Sequence, residues 1–258
     1  MTEQVLVSVD KGVQILTLNR ADKKNALNAE MYQALADALD RAERDPDIRV
    51  TLITGTGGAF TSGTDVSIFA AANAAPVDPA EPGNPFVPRI MAAEKPVVAA
   101  VNGIAVGIGV TMLLHCDLVY AGQSATFQMP FVRLGLVPEL GSSLLLPRLI
   151  GLQKAADLFL LAKKIDASQA EALGLVAEVF ADDALAAEAL ARAQALAAQP
   201  PNAVRIVKRL MRGPDREQLA AQIEAEDSHF FPQMRSAEAK EAFTAFFEKR
   251  PADFSRVS

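Results

Sequence analysis

The chain has one cysteine, two histidines and no tryptophan in 258 residues. A single thiol, Cys116, cannot close an intrachain disulfide and suits a reducing compartment. So few potential ligands, at none of the spacings that zinc sites use, argue against a zinc centre. Positive charge is short too. Lys and Arg number 25 against 31 Asp and Glu, a net charge of −6, whereas nucleic-acid binding asks for a basic face. A few local lysines would still serve a phosphorylated small ligand. The opening Met1-Thr2-Glu3-Gln4 lacks the basic-then-apolar pattern of a secretory leader, so a cytoplasmic location is expected. Residues 97–120 are long enough to cross a membrane. They carry Asn102, His115, Asp117 and three glycines, however, and read instead as a buried strand entering a buried helix. Half of the chain is apolar and 22% is charged, the mix of a soluble globule with a core that needs no covalent staple.

What is present is an alternation of strand and helix signals. Residues 5–9 and 13–18 flank the turn Asp10-Lys11-Gly12, which predicts a hairpin. Asn28 is placed to cap a helix over 29–44, with Met31, Leu35, Ala38, Leu39 and Ala42 on one face and Pro46 past its end. Buried strands are predicted at 50–54, 97–101 and 118–121, and helices at 109–116 and 140–150. Between residues 70 and 89, five of the fifteen prolines (Pro76, Pro79, Pro82, Pro85 and Pro88) fall within thirteen positions, which predicts a structureless lid or linker. Beyond about residue 152 helices dominate, interrupted by one strand at 175–180. The last helices carry apolar stripes, Phe230, Phe231 and Met234, then Phe243, Phe246 and Phe247, that suit either the core or a subunit interface. The fold class is α/β with a helical C-terminal part.

Two loops of small residues stand out, each following a buried strand. One contains Ser62-Gly63-Thr64-Asp65-Val66; the other spans residues 102–109 and holds Gly103, Gly107 and Gly109. Such loops bring bare backbone N–H groups close to a ligand, and a helix start adds its positive dipole end. Two N–H groups converging from two strands are what an oxyanion hole requires. The glycines would equally allow plain close packing of helix on strand. A dinucleotide loop fits less well, because the third glycine of that fingerprint would fall at Met112.

With Asn19-Arg20 and residues 23–28, 59–66, 95–117, 130–147 and 246–250 in order and register, the chain resembles the crotonase superfamily, the enoyl-CoA hydratase and isomerase group. The resemblance runs from about residue 5 to 254. It implies a crotonase-type spiral of ββα units over residues 1–200, a helical trimerisation region over 201–258, and a homotrimer or dimer of trimers. It implies acyl-CoA thioester substrates and no resident cofactor, coenzyme A being part of the substrate. The thioester oxygen would lie between the N–H groups of Thr64 and Ile108, the latter between Gly107 and Gly109. Lys23, Ala26, Ser62, Gly63, Asp65, Val66 and Gly107 fall where family members bind the substrate. Phe246 and Lys249 fall where a C-terminal helix reaches the coenzyme A of the same or a neighbouring subunit, though Lys249 also reads as a solvated helix position.

The family's hydratases use two glutamates, and at those positions this chain has Thr111 and Phe131. Neither is a general base at neutral pH. Glu139, in Pro138-Glu139-Leu140-Gly141-Ser142-Ser143, resembles the Pro-Glu-x-x-Ser-Ser segment of the peroxisomal-type Δ3,Δ2-enoyl-CoA isomerases, whose glutamate is the single base. Its apolar neighbours should raise its pKa toward the working pH; its plain alternative is a carboxylate favouring a helix N-terminus. Asp65 is expected to brace its loop and His115 to be a satisfied core histidine. Ser142 and Ser143 should make helix-start hydrogen bonds rather than attack a thioester, and Glu94 lies at the surface. The resemblance therefore implies an isomerase, with another crotonase reaction (weak hydration, thioester cleavage or hydrolysis) or a non-catalytic acyl-CoA-binding protein as alternatives.

Overall fold

The computed structural model describes residues 3–74 and 84–256. In chain order these form β1 (Val5–Asp10), β2 (Val13–Leu18), α1 (Ala29–Arg44), β3 (Val50–Gly55), β4 (Ala59–Thr61), α2 (Val66–Ala74), α3 (Phe86–Ala92), β5 (Val97–Val101) and β6 (Ile104–Val106). Then come α4 (Ile108–Thr111), β7 (Leu118–Gly122), β8 (Thr126–Gln128), α5 (Ser142–Ile150), α6 (Leu152–Leu160), β9 (Ile165–Asp166), α7 (Ala167–Ala172), β10 (Glu178–Phe180), α8 (Leu185–Ala197), α9 (Pro201–Arg212), α10 (Arg216–Met234) and α11 (Ala237–Glu248).

The strands build two sheets, ordered β1-β2-β3-β5-β7-β10 and β4-β6-β8-β9. Each of the pairs β3–β4, β5–β6 and β7–β8 sends its first strand to the larger sheet and its second to the smaller one. The chain thus winds as a spiral of ββα turns. Strict alternation in the larger sheet feeds two packing layers. Val50, Leu52, Val98 and Ala100 meet Leu185, Ala189 and Ala193 of α8, while Ile53, Val97, Ala99 and Val101 face the main core. The α1 face forms as the spacing predicts, with Met31, Leu35, Ala38, Leu39 and Ala42 buried, and the Asn28 side chain accepts from Met31 N at 2.9 Å. Helix α9 is tied to the sheets by a buried charge pair, Lys208 Nζ to Asp117 Oδ2 at 2.7 Å, and Asp117 also accepts from Val97 N.

Several boundaries differ from the sequence reading, each for a local reason. The small-residue loops contain strands of their own, β4 and β6, so the glycine turns follow the second sheet and not the first directly. The predicted helix over 109–116 is only α4 plus a 3₁₀ turn, Met112–His115, because the chain must enter β7 at Leu118. Helix α5 starts at Ser142, since Leu140 and Gly141 take left-handed φ of 61° and 68°. The strand expected over 175–180 is ordered as β10 alone. The proline-rich stretch is helical at both described flanks. Alanines extend α2 to Ala74, and Pro85 and Pro88 sit at the N-cap and in the first turn of α3, where a missing N–H costs nothing. Residues 75–83, with Pro76, Pro79 and Pro82, lie outside the described residues. The C-terminal stripes divide: Met234 and Phe243 are buried, while Phe231, Phe246 and Phe247 are about half exposed.

Candidate active site

Parallel pairing of β4 with β6 brings the two glycine turns side by side. Residues 62–65 are held along one edge by the segment before α1. Ser62 N donates to Lys24 O, Leu27 N to Gly63 O and Asp65 N to Leu27 O, at 2.8–2.9 Å. Because Leu27 bonds to the residues on either side of Thr64, as in a parallel bridge, Thr64 points its own N–H away from Leu27. Ile108 is the first residue of α4, so its N–H is one of the helix's free donors. Among the described residues neither N–H meets a protein acceptor. The loops touch at Gly63 (φ 89°), where a Cβ would sit 2.6 Å from Val106 O, and only glycine permits that approach. Two unpaired donors from adjoining turns are the kind of arrangement that suits a negative charge developing on oxygen.

One helical turn beyond Ile108, the buried Thr111 hydroxyl donates to the Glu139 carboxylate. Glu139 precedes α5 in a tight turn that the rest of the protein clamps. His115 Nε2 lies 2.8 Å from Leu140 O, and as a carbonyl only accepts, that nitrogen carries the hydrogen. Burial lowers the His115 pKa to about 4, so the ring is neutral. From the other side Glu226 of α10, 6% exposed, accepts from Gly141 N at 2.6 Å, from Ser143 N at 2.9 Å and from the Ser143 hydroxyl. It satisfies the first amides of α5, for which Gly141 has no side chain to offer. The N-terminus of α5 is therefore spent on Glu226, and Glu139 receives no help from it. Burial raises the Glu139 pKa from 4.5 to about 7; Glu226 and Asp227 push the same way and the Thr111 bond pulls back. A carboxylate half ionised near neutrality is suited to taking and returning a proton.

The description "Enoyl-CoA hydratase/isomerase" belongs to the family model that matches residues 8–256. The chain belongs to that family. A 1,2-epoxyphenylacetyl-CoA isomerase of Escherichia coli K12 is 38% identical over 99% of both chains. Enoyl-CoA delta isomerase 2 of Rattus norvegicus is 39% identical over 96% of this chain, which spans 64% of the rat protein's length. An enoyl-CoA hydratase/isomerase structure from Pseudoalteromonas atlantica superposes with a TM-score of 0.92 and 46% identity, covering 98% of this chain and all of that one. The fold is the crotonase fold, and the protein is an enzyme of the enoyl-CoA hydratase/isomerase family.

Within this family fold the other sequence-derived positions fall as follows. Lys23, at the end of a 3₁₀ turn, is exposed; Ala26 is half-buried; both line the segment that pairs with Ser62 and Gly63. Asp65 forms an ion pair with Arg20 at 2.7 Å and accepts from Ser67 N and Oγ, and this holds its pKa below the usual carboxylate value. Val66 opens α2 and Gly107 is the N-cap of α4. Among the described residues Phe246 and Lys249 make no hydrogen bond, ion pair or ring contact with these loops. They lie exposed at the end of α11, Phe246 against Phe247 and Lys249 in a left-handed C-cap. Ser143 is engaged with Glu226, Ser142 Oγ is buried without a partner, and Glu94 pairs with Arg205 at the surface. Clefts of about 310 and 400 Å³ open elsewhere on the molecule, and neither is lined by Glu139 or the donor turns. Sequence reasoning missed three residues. Glu226 lies far along the chain in a helix of ordinary composition. Asn25 is fully buried and donates to Thr56 O and Ala59 O. Tyr32 is not among the residues that the spacing assigns to the helix face, and its phenol oxygen is 2.6 Å from Thr64 Oγ1.

Proposed function

We propose that this enzyme moves the double bond of an enoyl-CoA from the 3- to the 2-position, with Glu139 as its single acid–base and the Thr64 and Ile108 N–H groups as oxyanion donors. The observation that carries the reading is the Thr111–Glu139 contact, which sets one carboxylate of near-neutral pKa a helical turn from Ile108. Hydration needs a second proton-handling group. Where the resemblance would place the hydratase glutamates, Thr111 is already bonded to Glu139 and Phe131 is buried against Phe159, with ring centroids 6.4 Å apart.

In the proposed reaction ionised Glu139 takes a proton from carbon 2. The C–H electron pair becomes the carbon 1–carbon 2 double bond of a dienolate, and its charge falls on the thioester oxygen between the two N–H donors. The dienolate spreads from that oxygen to carbon 4. Protonated Glu139 returns the proton there, leaving the double bond conjugated with the thioester. One group suffices because the proton leaves and re-enters on the same carboxyl.

A second reading is isomerisation of 1,2-epoxyphenylacetyl-CoA, favoured by the Escherichia coli relative that matches end to end. The test is absorbance of the conjugated thioester on adding the protein to a 3-enoyl-CoA, run beside Glu139→Gln and beside the epoxide. A rise that vanishes in the variant supports the double-bond reading; turnover of the epoxide alone replaces it with the second. The same family reading takes the protein to be a cytoplasmic trimer or pair of trimers joined through residues 201–258. The exposed Ile206, Leu210 and Met211 of α9 support that assembly, and sedimentation of a stable monomer would refute it. Among the described residues no helix is long and apolar enough to cross a membrane.

A further inference from the structure

Tyr32 sits one turn into α1 with 4% of its surface exposed. It belongs to the main core cluster, which also holds Phe60 and Phe86, and packing alone would have been met by another phenylalanine. Its hydroxyl is instead spent on Thr64 Oγ1 at 2.6 Å, with the Asn84 side chain also beside the phenol. Burial, with the charge of Glu139 adding to it, raises the phenol's pKa, so the group stays a neutral hydrogen-bonding partner at every working pH. Three segments therefore meet at this oxygen: α1, the first donor turn and the entry to α3.

The turn needs such a partner. Gly63 and Asp65 are bonded to Leu27 through their backbones, but the Thr64 peptide N–H must stay unpaired if it is to receive an oxyanion. The Leu27 N–H on Gly63 O, in the same peptide plane, sets the direction of that N–H, and the Thr64 side chain is the further handle that holds it. We propose that Tyr32 is a positioning residue for the reaction, holding the Thr64 side chain through its hydroxyl so that the first donor N–H keeps its aim. This rests on reading the Thr64 N–H as an oxyanion donor. Tyr32 touches neither the reacting carbons nor the oxygen in this account; it acts through Thr64.

The experiment measures deuterium uptake at carbon 2 of butanoyl-CoA in D₂O, which reports enolate formation whatever the isomerised substrate is. It is run with the 3-enoyl-CoA assay on the full-length protein. Tyr32→Phe should lower the saturated rate of both about tenfold, a fraction of what a whole donor is worth, with KM within about twofold. Thr64→Val, which removes the hydroxyl from the other side and leaves α1 untouched, should give the same loss. Thr64→Ser should restore the rate, and Tyr32→Phe with Thr64→Val should be no slower than either alone. Wild-type rates in Tyr32→Phe, or losses that multiply in the double variant, overturn the proposal and leave the donor reading standing. No exchange by the wild-type protein removes the donor reading and the proposal with it.

Discussion

Replacing Glu139 with glutamine should make the protein more stable while abolishing its chemistry, and the gain should depend on pH in a set direction. The native environment raises the Glu139 pKa from 4.5 to about 7, so the folded state holds the proton more tightly than the unfolded chain. Below pH 4.5 the group is protonated in both states and costs nothing. As pH rises toward 7 the unfolded chain ionises first and the native state loses ground; above 7 the loss is complete. At about 1.4 kcal/mol per pH unit, ionised Glu139 costs the fold about 3 kcal/mol at pH 8. That figure is an upper value, since the residue keeps some accessible surface. Glutamine retains an oxygen for the Thr111 hydroxyl and carries no charge, so it escapes the cost. Glu139→Gln should raise Tm at pH 8 by about 5–10 °C, converge with wild type by pH 4.5, and lose about 100- to 10,000-fold in turnover. The check is thermal unfolding of both proteins at the two pH values and one fixed protein concentration. A variant less stable at pH 8, or a gap that does not close in acid, would refute the burial argument.

Wild-type kcat/KM should fall about tenfold per pH unit below an acid limb near 7, because the reaction starts from the ionised form of Glu139; a limb near 4.5 in a pH–rate profile would contradict this. Thr111→Val removes the hydrogen bond that lowers that pKa, so the limb should move to higher pH in the same assay. Glu226→Gln removes a nearby negative charge and should move the limb to lower pH, with a smaller effect on KM. Gly63→Ala introduces a Cβ 2.6 Å from Val106 O at a left-handed φ, and should cost at least tenfold in turnover by parting the two donor turns.

Most of what the sequence disclosed about the site was backbone and spacing. An oxyanion donor is an N–H, so glycine turns after buried strands suggest one whatever the residue is, and the proposed donors Thr64 and Ile108 carry no identity signal of their own. Glu139 was legible as a carboxylate in an apolar run, and its segment sits among Leu136, Leu140 and Leu146, all buried. What holds these parts was not legible. Tyr32 and Thr64 are 32 positions apart, and Glu226 and Gly141 are 85 apart. Such contacts arise from how α1 and α10 fold back on the sheets, and no local pattern records them. The two missed strands share one cause: β4 and β6 are three residues each, too short to show alternation inside glycine-rich loops.

The bond from Glu226 to Gly141 also fixes an order of events during synthesis. Both sheets are complete once β10 has left the ribosome, whereas the carboxylate that caps α5 is translated 85 residues after the glycine it holds, roughly 5–15 s later at ordinary elongation rates. In the later part of that interval, once β10 is made, the nascent chain carries every described strand of the fold and Glu139 itself, but leaves the first amides of α5 uncapped. The turn of the proposed base is thus the last part of the site to be fully clamped. A chain released before α10 would display the donor turns beside a Glu139 turn held by Thr111 and His115 alone.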